Sequence, residues 1–161
     1  MSKRTAVVSG GGTGIGLAVA QALLEDDYTV ALLGRRPAVL EAAAEQLNAP
    51  TRVVTQAVDL ADPVAVTKAM PRIIERLGGT LDVVVANAGG APPAADKSLV
   101  SVNKAWLATL TGNTMTTVLL IEALRAHLSG TARLIFISSA AAAGPGGGPY
   151  GAVKAALHGW M

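Results

Sequence analysis

Five short runs rich in valine, leucine and isoleucine recur along the chain with helical segments between them, and this alternation constrains the fold more than any other feature. The runs are Thr5 to Ser9, Tyr28 to Leu33, Arg52 to Val58, Leu81 to Ala86 and Arg133 to Ser138. Continuous apolar runs of this length describe strands covered on both faces, as in a parallel sheet. Between them, Ala, Leu, Glu and Lys at helical spacing predict helices over 14–25, 37–47, 63–77 and 99–128, and a last one beginning near Tyr150. Strand and helix in alternation make a doubly wound α/β fold. Right-handed crossovers place its strands in the order 3-2-1-4-5, with ligands expected at the carboxyl ends.

The chain has 161 residues, 51% hydrophobic and 15% charged, enough for one core and one domain over 1–161. The net charge is only +2. The basic residues are scattered apart from Lys3-Arg4 and Arg35-Arg36, so no nucleic-acid face is expected. With no cysteine, disulfides, thiolate metal sites and thiol catalysis are excluded, and His127 and His158 are too few for a metal cluster. The run Ala6-Val7-Val8 after Lys3 and Arg4 is cut off by Ser9-Gly10-Gly11-Gly12, which is no signal peptide. No uninterrupted apolar stretch approaches the roughly 18 residues of a membrane span, so a cytoplasmic chain without membrane association is expected.

Glycine-rich stretches at Gly10 to Gly16, Asn87 to Gly90 and Gly144 to Gly148 each follow a predicted strand, where a Rossmann-like site is built. The first, with Gly10, Gly12, Thr13, Gly14, Ile15 and Gly16, runs into a helix whose free N–H groups and partial positive charge make an anion seat. Its G-x-x-x-G-x-G spacing is not G-x-G-x-x-G, and Leu17 stands where a Walker loop needs lysine, which disfavours a P-loop NTPase. The third stretch, Ala140 to Pro149, reads either as a flexible low-complexity loop or as a segment facing substrate.

At the end of the second strand, where such folds read the ribose 2′ position, stand Arg35 and Arg36 and no carboxylate. A planar guanidinium grips phosphate, so NADP(H) is preferred, with NAD(H) as the alternative. Asp59-Leu60 closes the third strand, where the carboxylate either accepts from an adenine amino group or caps the next helix with Asp62. Asn87-Ala88-Gly89 ends the fourth strand, placing an amide between neighbouring strands and a glycine where a ribose could approach. Gly112-Asn113 lies inside the long helix candidate among Thr109, Thr111, Thr114, Thr116 and Thr117. Two poor helix formers there leave either a kink that holds a water or a tolerated propensity defect, and the segment alone favours the defect.

Tyr150 and Lys154, four apart at the start of the last helix, share one face. A cation beside a phenol favours the phenolate and makes an acid/base pair usable near neutral pH. In a chain with 2 tyrosines, such a pair is rarely met by chance, and Ser138-Ser139 ends the strand before it.

Taken together, Ser9-Gly10-x-x-x-Gly14-Ile15-Gly16, Asn87-Ala88-Gly89, Asn113, Ser139 and Tyr150-x-x-x-Lys154 resemble the short-chain dehydrogenase/reductase family over the whole chain. The resemblance implies a nicotinamide-dependent oxidoreductase interconverting a small-molecule ketone and a secondary alcohol. In it Tyr150 is the general acid/base, Ser139 hydrogen-bonds the substrate oxygen, Lys154 lowers the Tyr150 pKa and holds the nicotinamide ribose, and Asn113 fixes a relay water. Asp59 and Asn87 would contact adenosine and ribose. Ser9 replaces the family's usual Thr and Ala86 the first Asn of Asn-Asn-Ala-Gly. The stretch from Ser139 to Tyr150 is shorter than usual, which leaves Ser138 as a second catalytic candidate.

Family members continue past the Tyr/Lys helix, so the sequence reads as the amino-terminal part of the fold, with a homo-oligomer expected for the full-length parent. A catalytically silent dinucleotide-binding fragment or regulatory module is the alternative function.

Overall fold

A computed structural model describes residues 4–161; Lys3, half of the Lys3-Arg4 pair, lies outside the described residues. The five strands are β1 (Arg4–Ser9), β2 (Tyr28–Gly34), β3 (Val53–Ala57), β4 (Leu81–Ala86) and β5 (Leu128–Phe136). All pair in parallel in the order β3-β2-β1-β4-β5, as the apolar runs and crossover rule require. The helices are α1 (Gly14–Glu25), α2 (Pro37–Leu47), α3 (Pro63–Leu77), α4 (Leu99–Leu110), α5 (Thr116–Leu124) and α6 (Gly148–Trp160).

The period-2 alternation of each strand sends its side chains to two separate cores. Val7, Ala31, Leu33 and Val84 pack on one face with Ile73 and Met70 of α3 and Leu120 and Leu124 of α5. Ala6, Val8, Val30, Leu32 and Val85 pack on the other with Ala20 and Leu24 of α1 and Leu40 of α2. Asp62 caps α3 by accepting from the Val64 and Ala65 N–H groups at 2.8 and 3.3 Å, Pro63 follows in the first turn, and Gly78 ends the helix at φ +89°.

Two expectations need correction. β5 begins at Leu128 rather than Arg133, because the Leu128 backbone already pairs with Leu81 before the register shifts ahead of Arg133 opposite Val83. The intervening Ser129-Gly130-Thr131-Ala132 has no apolar pattern to announce a strand. The long helix is not a regular helix with a tolerated defect. A single π-helical turn, Thr111–Met115, separates α4 from α5, with the Thr116 N–H reaching back to the Thr111 carbonyl.

The unbroken helical run Leu99–His127 is 29 residues long and, by length and composition, apolar enough to cross a membrane, although no stretch of it is free of polar residues for that distance. Here Leu120, Ile121 and Leu124 of that run are buried against the sheet. On α4, Leu99, Val100 and Leu107 are exposed.

Candidate active site

The carboxyl ends of the strands open on a cleft of about 750 Å³. Its wall contains Gly10, Gly12, Thr13, Gly14 and Ile15 from the loop after β1, Arg35 and Arg36 after β2, Asp59 and Leu60 after β3, and Asn87, Ala88 and Gly89 after β4. Twelve residues singled out from sequence thus meet in one place, because every βα turn of a parallel sheet emerges on the same edge.

The glycine loop fits an anion. Gly10 and Gly14 adopt φ +64° and +53°, conformations that side chains rarely tolerate, and a Cβ on Gly14 would meet nothing within 4 Å. Thr13 at the start of α1 makes no side-chain cap, so the first-turn N–H groups are left for a ligand. Gly16 is different. It is buried and does not line the cleft, and a Cβ there would stand 2.3 Å from the Gly10 carbonyl oxygen, so it lets α1 pack beneath the loop. Arg35 and Arg36 are exposed, and neither forms an ion pair among the described residues.

The ends of β1 and β4 are clipped together. The Ser9 hydroxyl accepts from the Asn87 and Ala88 N–H groups, both at 2.9 Å, and donates to the Val85 carbonyl at 3.3 Å. The Asn87 amide donates to the carbonyls of Ser9 and Gly10 at 3.0 and 3.3 Å. Ser9→Ala leaves two buried-edge donors unpaired and is expected to cost about 1–3 kcal/mol in urea unfolding, whereas Ser9→Thr retains the hydroxyl and most of the stability.

Asn113 sits in the π turn and is fully buried. Its amide donates to the carbonyls of Gly90 at 2.6 Å and Thr109 at 2.8 Å, while its Oδ1 accepts from the Gly90 N–H at 3.2 Å. The extra residue of the turn frees this side chain to brace the loop after β4. The Asn113 carbonyl in turn accepts from the hydroxyls of Thr116 and Thr117 at 3.0 and 2.9 Å. The threonine cluster was visible in the sequence; that its hydroxyls supply donors to a distorted turn was not.

Lys154 is 2% exposed, and burial pushes its pKa below the ordinary lysine value. Its Nζ donates to the Ile137 carbonyl at 2.9 Å and stands 5.8 Å from the centre of the Tyr150 ring. Tyr150 itself lines a second cavity, not the cleft. Ser139 caps the short 3₁₀ turn Ala140–Ala142 by accepting from the Ala141 N–H at 3.2 Å, and the Ser138 hydroxyl is 2.7 Å from His158 Nε2. Neither serine lines either cavity.

The stretch Ala140 to Pro149 forms that turn, a bend and the start of α6. Gly147, inside the glycine-rich stretch, and Gly151, not singled out from sequence, make the fit: a Cβ on either would come within 2.2 or 2.3 Å of the Ala141 carbonyl oxygen. Their four-residue spacing was the available signal.

A parallel 3-2-1-4-5 sheet carrying a glycine loop, a braced Asn113 and a Tyr150/Lys154 pair defines a class, and the chain belongs to the short chain dehydrogenase family, whose model matches residues 4–161. It is 29% identical over 155 residues to a putative oxidoreductase of Mycobacterium tuberculosis, covering 96% of this chain and 66% of that protein. An uncharacterized oxidoreductase of Caenorhabditis elegans is 36% identical over 92 residues, 56% of this chain and 29% of the relative. The Pseudomonas aeruginosa RhlG/NADP active-site complex superimposes with a TM-score of 0.85 at 29% identity, covering 99% of this chain and 65% of that one. The chain thus spans less than two thirds of the length of each of these three proteins.

Proposed function

We propose that this chain carries the cofactor and acid/base site of an NADP(H)-dependent oxidoreductase that interconverts a ketone and a secondary alcohol. The observation that carries the reading is the position of the buried Lys154 ammonium. It lies 5.8 Å from the Tyr150 ring and next to Gly89, where a Cβ would be 3.4 Å from Nζ. Lys154 therefore joins a residue of the cleft to a residue of the second cavity.

The cleft would hold the dinucleotide as follows. The first-turn N–H groups of α1 take the pyrophosphate, Arg35 and Arg36 take the 2′-phosphate, Asp59 and Leu60 border the adenine, and Asn87 to Gly89 border the nicotinamide ribose. NADPH bound there would supply the hydride that reduces the carbonyl carbon. Tyr150 gives its phenolic proton to the carbonyl oxygen in reduction and takes it back in oxidation. The Lys154 cation stabilises the phenolate left behind. Ser139, whose hydroxyl accepts from the Ala141 N–H and keeps its own O–H to donate, is the proposed partner of the substrate oxygen, with Ser138, paired with His158 Nε2, second. The Pseudomonas structure's bound NADP supports the cofactor assignment.

Titration with NADPH and NADH, read by fluorescence of the bound reduced nicotinamide, tests it. Replacing Arg35 and Arg36 together by Ala is expected to weaken NADPH about 10–100-fold and to leave NADH nearly unchanged. Equal loss for both cofactors would place the pair on a part that the two share, and no loss would make it a solvated helix start. A catalytically silent dinucleotide-binding module is the second reading, favoured by one observation: the Ser139 hydroxyl is engaged by the Ala141 N–H and faces neither cavity.

A further inference from the structure

The second cavity, of about 400 Å³, is walled by Pro92 and Pro93 of the loop after β4, by Val102, Trp106 and Thr109 of α4, and by Tyr150. No carboxylate, ammonium or guanidinium lines it. Thr109 is buried and its hydroxyl is spent on the Ala105 carbonyl at 2.7 Å. The Tyr150 phenol and the Trp106 indole N–H are therefore the side-chain donors left to a ligand. Pro92 lines both this cavity and the cofactor cleft, so the two spaces abut at one residue.

From this lining we infer that the cavity takes the body of a neutral ketone or secondary alcohol bearing an alkyl or aryl group, and rejects the same body carrying a carboxylate or phosphate. An ionised group brought in here would give up its hydration and find no countercharge on the wall, since the Lys154 ammonium, 5.8 Å from the Tyr150 ring centre and bonded to the Ile137 carbonyl, is not part of the lining. An uncharged aromatic or aliphatic body would instead be seated against proline, valine and the Trp106 ring. The inference rests on the reading of Tyr150 as acid and base, which sets where the reacting oxygen lies.

Acetophenone and 4-acetylbenzoate differ only in one carboxylate and make a matched pair of probes. With NADP⁺ present no reduction can occur, and saturation-transfer NMR reads binding alone. Acetophenone is expected to bind at least about tenfold more tightly than 4-acetylbenzoate. Trp106 is 43% exposed, so Trp106→Ala is expected to leave the fold intact while weakening acetophenone about tenfold, and Trp106→Phe is expected to restore most of the binding. Ala94→Lys, which places a cation on the exposed wall, is expected to narrow the gap by strengthening 4-acetylbenzoate. Equal binding of the two ketones, or acetophenone binding indifferent to Trp106→Ala, would overturn the inference. Unselective ketone binding beside tight NADPH affinity would leave the oxidoreductase reading standing. Selective binding that persists without any NADPH affinity would remove that reading and keep the pocket.

Discussion

Tyr150→Phe leaves NADPH affinity within about twofold and lowers ketone reduction by about 10²–10⁴-fold, the range carried by a positioned general acid. The substitution deletes one oxygen from a half-buried ring and keeps its packing against the loop and α4. A fall in turnover at constant cofactor affinity is therefore a chemical effect and not a folding one. Lys154 sharpens the expectation. Buried, with one N–H fixed on the Ile137 carbonyl, it does not line the second cavity, whereas Tyr150 does. Full turnover by the Phe variant would move the acid elsewhere, whereas NADPH affinity without turnover in the unsubstituted chain would support the silent-module reading.

Gly89→Ala carries the second large effect. Its Cβ would stand 2.3 Å from Asn113 Oδ1, and the amide cannot swing aside because Nδ2 is bonded to Gly90 and Thr109 carbonyls. Either the loop after β4 or the π turn must move. The expected cost is about 1–3 kcal/mol in urea unfolding, together with weaker cofactor binding, since the same loop forms one wall of the cleft. Asn113→Ala removes the obstructing amide, so the double variant is expected to be more stable than the sum of the single losses by about 0.5–3 kcal/mol. Strict additivity would show that the close approach between Gly89 and Asn113 is not what holds the loop.

These expectations draw on residues that differ in how far they could be read without the fold. Gly10, Gly14, Arg35 and Asn87 were legible because each is tied to the end of a strand, and strand ends follow from apolar runs of recognisable length. Tyr150 and Lys154 were legible as a pair through helical spacing alone. Their division was not. Lys154 turns into the protein toward Ile137 and Gly89 while Tyr150 faces a separate cavity, a result of how α6 leans on the Ala141 carbonyl through Gly147 and Gly151. The π turn at Asn113 escaped for a related reason. Gly112 and Asn113 signal weak helix propensity, but a bulge becomes favourable only when Gly90, more than twenty residues away, offers a carbonyl and an N–H to the displaced amide.

The amino-acid sequence by itself determined the parallel sheet, its order, the glycine loop and the types of group available for chemistry. Those follow from local periodicity, from the handedness of βαβ crossovers and from residue identity. Only the tertiary structure decided that Gly16 packs beneath the loop and does not line the cleft, that β5 starts at Leu128, that Asn113 braces the loop at Gly90, and that Tyr150 opens on a pocket without charge. Each of these depends on distances between segments far apart in the chain, and close packing sets such distances to tenths of an ångström that no local pattern encodes.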